Sequence, residues 1–277
     1  MHMKKIISTV LAAMLVLSVF AMPSIAADRL VEVRIDGERL NFSPTTRLIG
    51  DTTYVPIYKF CTMMGVTEKS FDDATKTATI KCRGIEIVAQ KGEKYVILNG
   101  RYIYTGLENV IIDSTMFVPV RPLARAFGAE VIWHAEDYSV DVYDNGEMIE
   151  SGETFYNADD LLWLARIIYA ESNTEPLEGK IAVGNVVLNR VASDEFPNNI
   201  HDVIFDKKYG TQFTPVDNGT IYNDPNEECI MAAKICLEGY TLSNEIIYFI
   251  DAVHASNMWV VNNREFEFKI NNHSFYR

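Results

Sequence analysis

The chain has 277 residues, 48% of them hydrophobic and 23% charged, which is enough for two domains with cores of their own. The net charge is −13, and the first 26 residues hold two lysines and no acids, so the remainder is more acidic still. That balance argues against nucleic acid as a partner, because neutralising phosphates needs Lys and Arg in excess.

At the N-terminus, Lys4 and Lys5 precede an almost uninterrupted apolar run from Ile6 to Met22, and Ser24-Ile25-Ala26 ends it with small residues. This predicts a signal peptide over residues 1–26, cut after Ala26. The alternative is an uncleaved anchor helix, for which the run is on the short side. No later segment is long and apolar enough for a span. The mature protein is therefore expected to be secreted, with no membrane span after signal removal.

Residues 27–144 contain an internal repeat. "VRIDG" (33–37) returns as "VILNG" (96–100), and "TTYVPIYKFCTMMGV" (52–66) returns within "STMFVPVRPLARAFGAEV" (114–131), always at a spacing of 63. Each unit predicts a β-hairpin turning at Asp36-Gly37 or Asn99-Gly100, then a short strand. A helix follows, with Pro56 or Pro119 in its first turn and Gly65 or Gly128 at its end. An alternating strand, 77–81 or 138–143, closes the unit.

This half resembles the N-terminal domain of copper amine oxidases. The resemblance implies a β-rich stalk or binding module, through which a cell-wall or protein partner could be met. It does not imply copper or oxidation, which need a separate domain with a modified tyrosine and three histidines; this chain has five histidines in all, one of them in the predicted signal peptide. Residues 145–157 are polar, with two glycines and no period, and read as a linker.

The four cysteines split between the halves. Cys229 and Cys236 are too far apart along one helix for a disulfide. Cys61 and Cys82 read as buried free thiols, with a pairing between them left open. No Cys or His spacing suggests zinc, so neither metal nor cofactor is expected.

The second domain runs over 158–277. A helix is predicted over 158–171, with Asn157 as N-cap, Asp159 and Asp160 in the first turn, and Glu171 at the negative pole of the helix. There the dipole disfavours the charged carboxylate, and burial beside Tyr169 would disfavour it further. Ser172-Asn173-Thr174 breaks the chain, and a second apolar helix is predicted over 176–192, with Pro176 in its first turn and Gly184 allowing close packing on the first. A strand-and-loop region with "GTQFTPVDNG" (210–219) follows, then a third helix over 226–238 and short strands to the end.

The order helix, acid, helix is that of small lysozyme-like folds. A glycosidic oxygen is a poor leaving group and needs an acid still protonated near neutral pH. The fold class expected is α+β, a β-rich two-repeat domain followed by a lysozyme/lytic-transglycosylase-like domain.

"LARIIYAESNTEPLEGKIAVGNVVLNRV" (164–191), "QFTPV" (212–216) and "INNHSFYR" (270–277) are similar to the catalytic domain of the SleB-type cell wall hydrolases, the spore-cortex-lytic enzymes. That resemblance implies cleavage of the MurNAc–GlcNAc bond in the glycan strands of peptidoglycan, in spore cortex or cell wall, leaving a 1,6-anhydro end. It places the catalytic acid on Glu171 and implies that Gln212, Phe213 and Thr214 line the glycan groove, with Tyr169 and Tyr248 as aromatic walls. It leaves His273, Asn189 and Arg190 with structural roles. The chain departs from the family at "SNTEP" after the acid and at "DAVHASNMW" (251–259).

A lytic transglycosylase needs one carboxyl group where a hydrolase needs two. Asp251 and Asp217 stay open as a second acid. Two other readings remain: a non-catalytic glycan-binding protein, and an amidase that would need zinc ligands the spacing does not offer.

Overall fold

The computed structural model describes residues 29–40, 46–208, 210–251 and 258–277. The predicted signal peptide, His254 and most of the 251–259 segment lie outside the described residues. The fold is mixed α+β, a β-rich N-terminal region followed by a helical C-terminal domain.

The first unit contains β1 (Arg29–Leu30), β2 (Glu32–Ile35), β3 (Glu38–Arg39), β4 (Arg47–Ile49), β5 (Thr52–Pro56), α1 (Ile57–Met63), β6 (Val66–Asp72), β7 (Thr77–Cys82) and the extra strand β8 (Ile85–Gln90). The second contains β9 (Tyr95–Leu98), β10 (Arg101–Tyr104), β11 (Val110–Ile112), β12 (Thr115–Pro119), α2 (Val120–Arg125), β13 (Glu130–His134) and β14 (Ser139–Tyr143). The start of β2 at 32 and of β9 at 95, and of β5 at 52 and of β12 at 115, keep the spacing of 63. Both hairpins turn at a residue with positive φ followed by glycine, Asp36-Gly37 and Asn99-Gly100, the geometry that matches strand twist.

The two units do not stand side by side. Their equivalent strands β5 and β12 pair antiparallel, with Val55 opposite Val118, so the repeat is related by a local twofold. The hairpin of each unit completes a sheet of the other. One sheet runs β10-β9-β8-β7-β6; another runs β13-β14-β2-β3, with β14 and β2 parallel. Neither unit therefore has a closed core alone. Pro56 and Pro119 are N-caps still engaged in the strand pairing, rather than first-turn residues. Pro176 is likewise an N-cap.

The expected linker is ordered. Residues Gly152–Phe155 form a short helix, α3, capped by Ser151. The Gly152 amide donates to the Asn99 carbonyl at 2.8 Å, and a Cβ on Gly152 would lie 2.6 Å from the Gly100 oxygen. Ile149 packs in the N-terminal core. The segment is held by contacts distant in sequence, which its polar composition does not reveal.

The C-terminal domain is built on α4 (Ala158–Ser172), α5 (Leu177–Val191) and, after α6 (Ile200–Phe205) and α7 (Thr214–Asn218), α8 (Glu227–Leu237). Residues expected as strand and loop are thus helical at α6 and α7. Asn199 caps α6 through the Asp202 amide, and Pro215 sits at the start of α7. A sheet of order β15-β17-β16 follows, from β15 (Tyr248–Asp251), β16 (Phe266–Ile270) and β17 (His273–Tyr276), with α9 (Trp259–Asn263) between the first two in the chain.

All four cysteines are buried free thiols; Cys82 Sγ lies 3.3 Å from the Met64 carbonyl. Gly184 lets α5 approach both α4 and α8, since a Cβ there would lie 2.7 Å from Cys236 Sγ and 3.0 Å from Ile168 Cδ1. Overpacking of this kind costs about 1–3 kcal/mol, against the roughly 0.5–1 kcal/mol that alanine gains over glycine in a helix. Gly184→Ala is expected to lose about 1 kcal/mol or more in urea unfolding; equal or greater stability would contradict this packing.

The two halves meet through charge. The Glu238 carboxylate, just past α8, accepts from Arg101 Nε and Nη2 at 2.7 and 2.8 Å, from Arg125 Nη2 at 2.8 Å and from the Tyr156 hydroxyl at 2.7 Å. The Glu178 carboxylate accepts from Lys94 Nζ at 2.7 Å and the Tyr104 hydroxyl at 3.0 Å. Tyr104 belongs to the C-terminal core although it lies on β10.

Candidate active site

Helix α4 begins where Asn157 Oδ1 accepts from the Asp159 and Asp160 amides, both at 3.0 Å. Leu164, Ala165, Ile167 and Ile168 bury its apolar face. Ser172, the last helical residue, turns its hydroxyl back to the Ile168 carbonyl at 2.6 Å. Glu171 is thereby fixed in the last turn of a helix anchored along its length. The following corner is tied down by Glu175, whose Oε1 accepts from Asn271 at 3.2 Å and Asn272 at 3.0 Å, joining the start of α5 to the β16–β17 turn.

Glu171 opens on a cavity of about 300 Å³ lined also by Arg190, Gln212, Phe213, Thr214 and Asp251, with Phe249, Ile250 and His273 completing it. Its carboxyl is enclosed, and burial pushes its pKa up to about 7, opposed by the Arg190 cation. Of the two causes the sequence pointed to, the helix dipole and burial, burial acts here. Burial in turn pulls the Arg190 guanidinium down to about 10. His273 is lowered by burial, opposed by Glu175 and Asp251.

Arg190, Gln212 and Phe249 also line a larger chamber of about 800 Å³, which Tyr248 lines as well. Glu171, Phe213 and Thr214 thus line the smaller chamber, Tyr248 the larger, and Gln212 both. Phe213 is 2% exposed and forms floor rather than wall. Tyr169 lines neither chamber and packs, partly buried, against the C-terminal core. Of the two possible second acids, Asp251 is in the cavity with Glu171, whereas Asp217 sits on α7, half exposed and 3.5 Å from Lys207.

Arg190 was expected only to brace the fold. It does brace it, donating from Nε to the Ile247 carbonyl at 2.8 Å, but it also forms the wall shared by the two chambers. His273 is likewise in the cavity rather than behind it. An arginine ending an apolar helical stripe was the available signal for the first. Among the described residues no group of three or more His, Cys, Asp or Glu is placed to hold a metal ion, and no helix is long and apolar enough to cross a membrane.

The profile of a family described as Cell Wall Hydrolase matches residues 174–276, and that of the Copper amine oxidase N-terminal domain matches 34–142. The first match begins just after Glu171. A spore cortex-lytic enzyme of Bacillus cereus is 34% identical over 120 residues, 43% of this chain and 45% of the relative. One from Bacillus subtilis is 35% identical over 105 residues, 38% of this chain and 33% of the relative. The chain thus spans less than half the length of these relatives. The solved catalytic domain of the germination-specific lytic transglycosylase SleB from Bacillus anthracis is 34% identical, with 47% of this chain and 100% of that one covered and a TM-score of 0.40.

Proposed function

We propose that this chain, a SleB-like cell wall hydrolase domain preceded by a copper amine oxidase N-terminal domain, is a secreted enzyme that cuts the glycan strands of peptidoglycan in spore cortex or cell wall. The reaction is lytic transglycosylation at the MurNAc–GlcNAc bond. The observation that carries this is the enclosed carboxyl of Glu171, held near a pKa of about 7 on the wall of a cleft.

A carboxyl in that state can donate a proton to the bridging oxygen as the bond breaks. The N-acetyl carbonyl of the substrate stabilises the cation left at C1. Glu171, now ionised, takes the proton from the C6 hydroxyl as that oxygen attacks C1, and its own proton is restored. The Arg190 cation favours the ionised form and so stabilises the carboxylate that is left once the proton has been donated. Gln212 and Thr214 line the cavity with Glu171, which supports a role for them in holding sugar hydroxyl or acetamido groups.

Asp251 supports a second reading. A second carboxyl group in the cavity could direct water in place of the C6 hydroxyl, which would give hydrolysis and a reducing end.

The pH profile tests the role of Glu171. The acid must enter the cycle protonated, so kcat/KM on purified peptidoglycan is expected to be high below pH about 7 and to fall as pH rises through it. A rate that is flat from pH 5 to about 9 would remove Glu171 as the proton donor.

A further inference from the structure

A separate groove is lined wholly by residues of the N-terminal half and encloses about 430 Å³, within the range of about 300–1,000 Å³ typical of small-ligand sites. Both repeat units build it. Asp51, Thr52 and Thr53 come from the turn into β5 and its first residues, Tyr104 from the end of β10, Arg121 from α2 and Trp133 from β13.

The polar groups of this lining are mostly unengaged. Among the described residues, no side-chain hydrogen bond or ion pair engages Asp51, Thr52, Thr53 or the Trp133 indole N–H. Arg121 reaches only the Val131 carbonyl, at 3.4 Å. Thr53 is 7% exposed, and enclosing a hydroxyl without a partner is costly unless a ligand supplies one. The half-buried Trp133 ring is held against Tyr138, with ring centres 5.9 Å apart and planes near a right angle.

The internal repeat supplies a control. At its spacing of 63, Ser70 stands in place of Trp133 and Met116 in place of Thr53, while Val55-Pro56 and Gly65 return as Val118-Pro119 and Gly128. The fold that both units share therefore does not demand the groove residues.

The lining carries one acid and one base, so it favours neither sign of charge. An aromatic face beside hydroxyls suits a neutral ring with C–H groups on its face and groups on its rim that both donate and accept. A pyranose is such a ring. Tyr104, on the groove wall, also donates to Glu178 on α5 at 3.0 Å, which ties the groove to the helix packed on α4 beside Glu171.

We infer that this groove binds a β-1,4-linked N-acetylhexosamine segment of a glycan strand, distinct from the segment in the cavity at Glu171. The choice of a glycan strand rests on the cleavage reading above. Two sites on one chain raise the effective concentration of a polymer at the second once the first is filled, so the N-terminal half holds the enzyme on the wall between cuts.

The test is hydrogen–deuterium exchange of the full chain with and without chitin tetrasaccharide, a β-1,4-linked N-acetylglucosamine probe with no MurNAc–GlcNAc bond to cut. Slower exchange is expected at residues 51–56, 117–122 and 130–134, and separately around Glu171. Trp133→Ala is expected to raise the probe concentration for half protection of the groove about tenfold and to leave protection around Glu171 in place.

Protection around Glu171 alone, no protection anywhere, or groove protection unmoved by Trp133→Ala overturns the inference. If that variant does not fold, Thr53→Val, which keeps the branched shape and removes the hydroxyl, is expected to weaken groove binding about threefold, and no change overturns the inference instead. A soluble stem peptide that protects the groove where the sugar does not would make the occupant a peptide and overturn it too. Groove protection without protection around Glu171 leaves this site standing and counts against the cleavage reading, and the reverse leaves the cleavage reading standing.

Discussion

Glu171→Gln is expected to reduce release of soluble fragments from purified peptidoglycan by about a thousandfold or more, because in the proposed reaction one residue serves as both acid and base. Glutamine keeps the shape and loses the transferable proton. The same substitution is expected to stabilise the fold. The folded chain holds the Glu171 proton more tightly than an unfolded chain does, since its pKa rises from 4.5 to about 7. Glu171 therefore lowers stability as pH rises through that interval, and the whole penalty is present above it. At pH about 8 the variant should be more stable than the wild type by about 2–3 kcal/mol, and at pH about 4 the two should match. Urea titrations at the two values check this. A variant that is inactive and also destabilised at both would mean that Glu171 holds the fold and not the reaction.

Glu238→Ala is the second substitution with a large expected effect. The Glu238 side chain is 2% exposed and Arg101, its bidentate partner, is 7% exposed. Removing the carboxylate strands that guanidinium at the junction and also releases Arg125 and the Tyr156 hydroxyl. Breaking a buried pair from one side costs about 3–5 kcal/mol. Trp133 reports on the N-terminal half and Trp163 on the C-terminal half, so urea unfolding followed by fluorescence is expected to show a loss of that size with the halves beginning to separate. A loss under about 1 kcal/mol would mean that the junction is held by its apolar contacts and not by this carboxylate.

The repeat was legible because each of its marks is local. Asp36-Gly37, Asn99-Gly100, Gly65 and Gly128 each mark a short-range backbone geometry. The exchange of hairpins between units was not legible, because the parallel pairing of β14 with β2 joins residues over 100 positions apart in the chain. Glu171 could be picked out because an acid ending a buried helix breaks the pattern around it. The cleft around it could not, since Arg190, Gln212, Phe249, Asp251 and His273 come from four separate elements and loops. Tyr169 shows the same limit in reverse: it is next but one to Glu171 in sequence, but helical geometry turns it into the core. The order of the 145–157 stretch and the helices α6 and α7 differ in kind. The first is ordered only by tertiary contacts, whereas Asn199 with Asp202, and Pro215 after Thr214, were helix-start signals present in the sequence.

Mass spectrometry of the fragments that the full chain releases from purified peptidoglycan tests the central claim most directly. Lytic transglycosylation at Glu171 predicts muramic ends of the 1,6-anhydro form, lighter by one water than the corresponding reducing ends. Reducing muramic ends would make Asp251 the partner of Glu171 in a hydrolase, and freed peptides with intact glycan strands would contradict glycan cleavage altogether.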